Sequence, residues 1–327
     1  MQKRKFGKIG WDISEISLGC WAMGADWGDV SEENAKNILK TSFENGVNFF
    51  DTADVYGDGR SEKFVGEFIN STSERIYVAT KAGRRINPHE AQGYYDKDLM
   101  ESYVDRSLKN LSVETIDLLQ MHCPPTEVYS HDLTYEMLDY LVTKGKIQHY
   151  GFSVQTVEEA ITCIQRPHTK SVQIIFNMLR LKPSEEFFQM AKDKNIAIIV
   201  RVPLASGLLT GKMNSNSSFP ENDHRNYNIK GDAFDVGETF SGVDFTKALE
   251  VVEELKSIIP DSFTLSQLAL KWILMHDAVS VVIPGAKNSD QALNNISASS
   301  LPNIDNLMKK IEDIYTTHLK DNIHPNW

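Results

Sequence analysis

The strongest constraint on the fold of this chain is a regular alternation of short, apolar, β-branched runs with longer amphipathic ones. Eight runs have the length and composition of strands, and each is followed by residues with helical periodicity. Because parallel strands need helical crossovers, eight strand–helix units predict a parallel sheet. Near-continuous apolar runs such as IAIIV fit a sheet that is covered on both faces. The predicted strands are residues 16–23, 48–53, 76–81, 116–123, 147–154, 171–177, 196–202 and 279–285.

A closed (β/α)8 barrel is the simplest architecture with eight such units, and a doubly wound open sheet is the alternative. Residues 1–15 contain two short alternating runs around a glycine-containing turn, which predict a β-hairpin across one mouth of the barrel. Residues 205–245, rich in Asn, Ser, Gly and Asp, predict a long loop after the seventh strand, usually a functional lid or disordered. Since no linker is evident, we predict one barrel domain over residues 1–327. Residues 320–327 should form a surface tail.

Composition limits the partners and the compartment. The chain has 34 Lys and Arg against 45 Asp and Glu, a net charge of −11 that argues against nucleic acid or an anionic membrane as partner. No secretory signal is visible, and no apolar stretch approaches the roughly 18–20 residues that span a bilayer. Cys20, Cys123 and Cys163 have no metal-ligand spacing. We therefore expect a cytoplasmic protein with reduced cysteines.

Four ionisable side chains lie at the predicted carboxyl ends of three consecutive strands. Asp51 ends the second strand and Tyr56 follows it, while Lys81 ends the third strand and His122 the fourth. The active site of a (β/α)8 barrel is built at this face. Each residue alone has an ordinary structural explanation, as a cap, a half-buried aromatic, a strand end or a core histidine. Together they indicate a site, because buried charge is costly unless it is paired or used.

These residue types suit the protonation of an oxygen on which negative charge develops, as when hydride adds to a carbonyl. A phenol titrates near pKa ~10, and a nearby Lys81 ammonium would lower the pKa of Tyr56. Asp51 would keep Lys81 charged, and His122 could donate a hydrogen bond to the carbonyl oxygen. A metal ion on Asp51 and His122 would lack further ligands, so we expect no metal.

The chain resembles the aldo-keto reductase family over essentially its whole length. The most recognisable block is FFDTADVYGDGRSE at 49–62. Further blocks follow in the family's order: ATK at 79–81, DLLQMHCP at 117–124, GFS at 151–153, PLASGLLTGK at 203–212 and VIPGAKNSDQALNN at 282–295. The resemblance implies a barrel that binds NAD(P)H and reduces aldehydes or ketones. It makes Tyr56 the general acid, with Asp51 and Lys81 tuning it and His122 positioning the carbonyl.

The resemblance also implies a set of cofactor-binding residues. Ser153 and Gln173 match positions that bind the nicotinamide carboxamide. The pyrophosphate loop corresponds to Leu204, Ser206, Gly207, Leu208, Thr210 and Lys212. The adenosine half corresponds to Gly285, Ala286, Lys287, Gln291, Asn294 and Asn295. Lys287 on a 2′-phosphate would favour NADPH, with NADH as the alternative.

Arg201 departs from the family pattern, in which many members have a tyrosine that stacks on the nicotinamide. We predict that the planar guanidinium of Arg201 stacks there instead. The alternative is a structural ion pair with a neighbouring Asp or Glu.

The substrate pocket is expected near Trp21 and Trp27, which match aromatic positions of the family. The alternative is that both residues serve packing alone. Arg84, which follows Lys81, could bind an anionic or polyhydroxylated substrate. The alternative is a solvated charge pair formed by Arg84 and Arg85.

Three classes of function remain open at this point. The leading one is an NADP-dependent carbonyl reductase acting on a small substrate. The second is a non-enzymatic regulatory subunit that keeps the barrel and the cofactor site, against which the intact set of four ionisable residues argues. The third is a barrel of another reaction class, such as a metal-dependent hydrolase.

Overall fold

Eight parallel strands form a nearly closed barrel with helices around it, as the alternation predicts. The computed structural model describes residues 1–24 and 30–327, so Trp27 lies outside the described residues. The hairpin strands are β1 (Lys3–Phe6) and β2 (Trp11–Ser14). The barrel strands are β3 (Leu18–Gly19), β4 (Phe49–Asp51), β5 (Tyr77–Ala82), β6 (Ile116–His122), β7 (Ile147–Ser153), β8 (Ser171–Ile175), β9 (Ala197–Arg201) and β10 (Val279–Val282).

Each barrel strand pairs in parallel with its neighbour in the chain, from β3 through to β10. Isolated parallel bridges join Ile16 to Val282 and Gly19 to Gly285, which brings the first and last strands together. Strand β3 is much shorter than the predicted run 16–23, since residues 21–24 turn into a 3-10 helix. The closed barrel is therefore confirmed over the open sheet.

Helices cover the outside of the barrel. They are α1 (Glu32–Glu44), α2 (Arg60–Asn70), α3 (Ala91–Tyr95), α4 (Lys97–Leu111), α5 (Asp132–Thr143), α6 (Val157–Cys163), α7 (Phe187–Asp193), α8 (His224–Tyr227), α9 (Phe245–Ser257), α10 (Leu265–Leu274), α11 (Ser289–Ser297), α12 (Asp305–His318) and α13 (Lys320–Ile323). Of the helices that the structure describes, none combines the length and hydropathy that a membrane crossing requires.

The N-terminal hairpin closes the amino end of the barrel, in agreement with the prediction. Its Phe6 and Ile13 are completely buried and pack with Phe49, Leu118 and Ile199 inside the barrel. The Lys8 N–H donates to the carbonyl of Asn195 at 2.6 Å, which ties the turn to the start of β9. An apolar plug at this end leaves the carboxyl ends of the strands as the open face.

Two irregular segments were predicted, and one of these predictions needs correction. The long loop after β9 is present, and it contains 3-10 turns at Ala205–Thr210, Val236–Glu238 and Phe240–Gly242, besides α8. The expected surface tail is wrong in part, because Trp327 is only 6% exposed. Its indole Nε1 donates to Asp235 at 3.0 Å, so the end of the described chain packs against this loop.

Candidate active site

A buried lysine connects an aspartate to a tyrosine at the carboxyl face of the barrel. Lys81 lies on β5, and its Nζ donates to Oδ1 of Asp51, at the end of β4, across 2.5 Å. The same Nζ donates to the Thr52 carbonyl at 2.8 Å and to the Tyr56 hydroxyl at 3.3 Å. Neighbouring parallel strands place these groups together because Asp51 pairs in register with Ala79, two residues before Lys81.

Asp51 is held on its other side by two glutamines. Gln120 on β6 and Gln173 on β8 each donate a side-chain N–H to Oδ2 of Asp51, at 2.9 and 2.7 Å. All of these side chains are buried, so the carboxylate is fully hydrogen-bonded inside the barrel. The sequence analysis did not identify Gln120 as a site residue, although a glutamine inside the apolar run LLQM was a usable signal. Gln173, expected at the nicotinamide, has its amide N–H engaged by Asp51.

The turn that carries Tyr56 is fixed by close backbone packing. Gly57 has φ of 58°, and a Cβ there would lie 2.5 Å from the Gly24 carbonyl oxygen. A Cβ on Gly24 would in turn lie 2.7 Å from the Gly57 nitrogen. A side chain at either position would displace the turn, so these two glycines determine where the Tyr56 phenol sits.

The pKa values assign a proton to both Lys81 and Tyr56. Burial favours neutral Lys81, but the Asp51 carboxylate and its hydrogen bond outweigh burial and raise the pKa of Lys81. Burial also raises the pKa of Tyr56, and the opposing Lys81 ammonium offsets this only in part. Lys81 lowers the pKa of Tyr56, as expected, but burial raises it more, so the pKa of the phenol lies above its ordinary value. The phenol is neutral at pH 7 and holds the proton that an acid must donate.

His122 faces Tyr56 across the same space. It ends β6, is buried, and its ring centroid lies 6.0 Å from that of Tyr56 in an edge-on arrangement. Burial, followed by the positive charges of Arg84, Lys81 and Arg201, places the pKa of His122 well below its ordinary value. Its Nδ1 has no hydrogen-bond partner among the described residues. His122 is therefore a neutral imidazole that can donate a single N–H.

These groups face a cavity of about 250 Å³, small against the roughly 300–1,000 Å³ of most ligand sites. Its lining is Trp21, Val55, Tyr56, Arg84, His122, Tyr227, Phe234 and Glu238. Trp21 and Arg84 thus lie where a substrate pocket was expected. The last three residues come from the loop after β9 and were missed, because an irregular loop carries no periodic signal that predicts what it faces.

Arg84 is not one half of a solvated pair, so that alternative is wrong. Its side chain is 18% exposed and forms an ion pair with the buried Glu238. Arg201 at the end of β9 has the same partner, with Nη1 3.5 Å from Oε2 of Glu238. Its Nη2 donates to the Val154 carbonyl at 3.0 Å and to Oε1 of Gln155 at 2.9 Å. The ion pair considered for Arg201 is present, and its stacking on nicotinamide stays a prediction.

The residues expected at the nicotinamide and pyrophosphate lie on the same face of the barrel. Ser153 ends β7, in register between His122 and Gln173. Ser206 and Gly207 have φ of 55° and 96° in the turn after β9. The Ser206 hydroxyl donates to the Glu238 carbonyl at 3.1 Å, which joins this turn to the cavity wall. The other members of the expected loop are partly buried Leu204, buried Leu208, partly buried Thr210 and exposed Lys212.

The segment expected at the adenosine half follows β10. Asn288 caps α11, and the side chain of Gln291 accepts from the Lys287 N–H at 2.9 Å. Asn295 donates to the Gly285 carbonyl at 3.1 Å, and Asn294 to the Ser266 hydroxyl at 2.9 Å. Ala286 is buried beside them. The polar side chains therefore shape the start of α11, and Lys287 is the cation that this segment presents.

A groove of about 420 Å³ lies at the opposite, amino end of the barrel, beside Arg4 and Leu274. Its Arg4 is engaged by Glu15 at 2.9 Å and by backbone carbonyls, so it offers no reactive set. Over residues 1–24 and 30–327, no three His, Cys, Asp or Glu side chains are grouped to hold a metal ion.

A parallel barrel with a buried Asp–Lys–Tyr chain and a neutral histidine at its carboxyl face defines the class of this protein. The model of the Aldo/keto reductase family matches residues 15–316. The chain belongs to the aldo/keto reductase family, a family of oxidoreductases that act on small carbonyl compounds.

Two curated relatives cover nearly the whole chain. "Uncharacterized oxidoreductase YqkF" of Bacillus subtilis is 31% identical over 304 residues, which is 92% of each chain. A "Probable voltage-gated potassium channel subunit beta" of Arabidopsis thaliana is also 31% identical, over 91% of each chain. The relatives thus include one named as an oxidoreductase and one named as a probable channel subunit.

Two solved structures share the fold. The glycerol dehydrogenase AKR11B4 from Gluconobacter oxydans is 25% identical and superposes with a TM-score of 0.79, covering 100% of this chain and 98% of its own. An aldo-keto reductase from Klebsiella pneumoniae in complex with NADPH has a TM-score of 0.69 at 18% identity, covering 96% and 95%. The second likeness shows the fold alone.

Proposed function

We propose that this protein is an NADPH-dependent reductase of a small aldehyde or ketone, with Tyr56 as its general acid. The observation that carries the proposal is the protonated Tyr56 hydroxyl at the cavity wall, 3.3 Å from the Nζ of Lys81. Catalysis by a positioned acid needs a proton on the donor and a charge nearby that stabilises the donor once the proton has left. Tyr56 and Lys81 meet both requirements.

Each of these residues has a distinct role in the proposed reaction. The Tyr56 hydroxyl and a His122 N–H both donate to the substrate carbonyl oxygen and fix its position. NADPH, when bound, supplies the hydride for the carbonyl carbon. As negative charge develops on the oxygen, Tyr56 transfers its proton to that oxygen, and the alcohol forms. The Lys81 ammonium stabilises the phenolate left behind, and Asp51 holds Lys81 in its protonated form.

The positive charges at the carboxyl face suit the additional phosphate of NADPH. Lys287 is partly buried, and burial together with the nearby Arg225 lowers its pKa. No carboxylate forms an ion pair with Lys287 among the described residues. Lys287 and Arg225 are neighbouring cations, and Asp223 forms an ion pair with Arg225. Such a pair of cations suits the binding of an added phosphate. We propose that Lys287 binds the 2′-phosphate and that Ser153, Gln173 and the turn at 204–212 hold the nicotinamide and pyrophosphate.

A carbonyl panel tests the proposal. Purified protein is mixed with NADPH or NADH and with aromatic and aliphatic aldehydes and ketones, and oxidation of the nicotinamide is followed at 340 nm. The proposal predicts turnover of at least one class, faster with NADPH. If no carbonyl is turned over in either direction with either cofactor, the reductase proposal is wrong.

The second candidate is a regulatory subunit that binds the cofactor without turnover. The likeness to a plant protein named as a probable potassium channel subunit favours it. The same panel separates the two functions, because a regulatory subunit would bind NADPH, seen by fluorescence quenching, and leave every carbonyl unreduced.

A further inference from the structure

We propose that the substrate carries a carboxylate, or an anionic group of the same shape, and that Arg84 binds it. The inference rests on the proposed reductase function and names the substrate class of the same cavity. It is carried by the balance of charges around Arg84, by the donors of this guanidinium, and by the size and lining of the cavity.

Among the described residues, positive charges outnumber negative ones at the cavity wall and directly behind it. Arg84 and Glu238 line the cavity, and Arg201 behind them shares the Glu238 carboxylate with Arg84. Burial raises the pKa of Glu238, but these two arginines outweigh burial and lower the pKa to about 2. Glu238 is therefore ionised at pH 7. The charges of Lys81 and Asp51 neutralise each other in their ion pair. A cavity beside an uncompensated positive charge attracts a negatively charged substrate.

The next charges outward do not remove this excess. Burial and the neighbouring Arg201 lower the pKa of Arg180 to about 9, against the opposing effect of Asp235, so Arg180 is charged at pH 7. It forms no ion pair among the described residues, and Arg225 pairs with Asp223 at 2.6 Å. The described charges around the wall therefore do not offset the positive excess. His122 responds to it, because Arg84 is the charge that most lowers its pKa after the effect of burial.

Arg84 has unused donors at the cavity. Its Nη2 donates to Oε1 of Glu238, and neither its Nε nor its Nη1 donates to any group in the described part of the chain. The Nη atoms of Arg201 are engaged on Val154, Gln155 and Glu238, and its Nε is buried without a hydrogen-bond partner among the described residues. Since Arg84 lines the cavity, its unused donors are available to a ligand there. A planar guanidinium with free N–H groups fits a carboxylate.

The orientation of Arg84 is fixed before a ligand arrives. The Gln155 side chain donates to Oε1 of Glu238 at 2.7 Å, and the Ser206 hydroxyl donates to the Glu238 carbonyl at 3.1 Å. The guanidinium also lies 5.6 Å from the centre of the Phe234 ring. A pre-positioned cation loses little freedom when it binds a carboxylate.

The rest of the lining limits the size of the substrate. Trp21, Val55 and Phe234 give the space between Tyr56 and Arg84 an apolar character. The small cavity leaves room for a short carbon skeleton between the reacting carbonyl and the anionic end. The geometry thus fits a short oxo acid better than a neutral ketone of steroid size.

The test compares acids with their neutral esters. The value of kcat/KM is measured with NADPH for 4-oxobutanoate, 3-formylbenzoate and 4-formylbenzoate, each against its methyl ester. Each pair shares one carbonyl, so its acid-to-ester ratio reports recognition of the charge. The variants are Arg84→Gln and Arg84→Lys. Arg166→Gln is the matched control, since Arg166 pairs with Asp132 on the outer surface.

We expect an acid-to-ester ratio above ten in at least one pair. Arg84→Gln should reduce that ratio about 10- to 100-fold, mainly through KM of the acid, as for the loss of a charge-assisted hydrogen bond. Arg84→Lys should restore part of it, and Arg166→Gln should leave it unchanged. A thermal unfolding curve of each variant shows that the fold is retained.

The outcomes separate this inference from the reductase function. Turnover of esters as fast as acids in every pair, or an equal loss for acid and ester in Arg84→Gln, overturns the role of Arg84 and leaves the reductase function standing. Absence of turnover for acids, esters and all other carbonyls overturns the reductase function and this inference with it.

Discussion

Lys81 donates a hydrogen bond to the hydroxyl of Tyr56 across 3.3 Å, although the two residues lie 25 positions apart in the chain. The contact exists because β4 and β5 are neighbours and end at the same face of the barrel. It joins a buried ammonium to the phenol at the cavity wall. The proposed chemistry depends on this contact.

The Lys81–Asp51 pair should contribute to stability as well as to activity. Lys81→Met leaves the Asp51 carboxylate buried without its ammonium, which we expect to lower the free energy of unfolding by about 3–5 kcal/mol. The double variant Asp51→Asn/Lys81→Met should recover part of the stability and none of the reduction. Urea unfolding and NADPH oxidation measure the two effects. Recovery of activity in the double variant would contradict the role of Lys81.

Glu238 should stabilise the protein in a pH-dependent way. Its pKa is lowered to about 2 in the folded state, so its contribution is present above its ordinary pKa and is lost as pH falls towards 2. Glu238→Gln should cost on the order of 3 kcal/mol at pH 7 and less than half of that at pH 3. Unfolding curves of both proteins at the two pH values check the difference. A cost that is the same at both would mean that the carboxylate is not responsible.

Lys287 should distinguish the two cofactors. If its ammonium binds the 2′-phosphate, Lys287→Ala weakens NADPH binding by about 1–3 kcal/mol and leaves NADH binding unchanged. Fluorescence titration with each cofactor gives the dissociation constants, and Lys310→Ala on an exposed helix face is the matched control. Equal weakening of both cofactors would place Lys287 away from the phosphate.

Arg201 tests whether a guanidinium replaces a stacking ring. Arg201→Ala should lower thermal stability, because it removes one of the two arginines that pair with Glu238, at 3.5 Å. We further predict weaker NADPH binding and slower turnover, both restored in large part by Arg201→Tyr. Cofactor titration decides between the two roles. Lower stability with unchanged NADPH affinity would leave the ion pair as its sole function.

The strand-end residues were predictable and the loop residues were not, for a physical reason. Asp51, Lys81 and His122 follow apolar runs whose periodicity predicts parallel strands, and the carboxyl ends of such strands share one face. Glu238 lies in a polar loop, where no hydrophobic periodicity indicates which way a side chain points. Its ion pair with Arg84 could therefore be identified only from the three-dimensional structure. Trp327 likewise carries no local signal that it packs against Asp235. Burial has the largest effect on the pKa of Tyr56. The degree of burial of this side chain could not be predicted from a sequence pattern.

The most direct test of the account is the Tyr56→Phe variant, which removes one hydroxyl and keeps the ring. The account predicts that kcat for NADPH-dependent reduction falls by about 10²–10⁴, the usual contribution of a general acid, while the dissociation constant for NADPH stays nearly unchanged. Tyr140→Phe, whose hydroxyl binds Glu101 on the outer helices, is the matched control and should keep full activity. Turnover of Tyr56→Phe within tenfold of the unmodified protein would contradict the account and remove Tyr56 from the acid role.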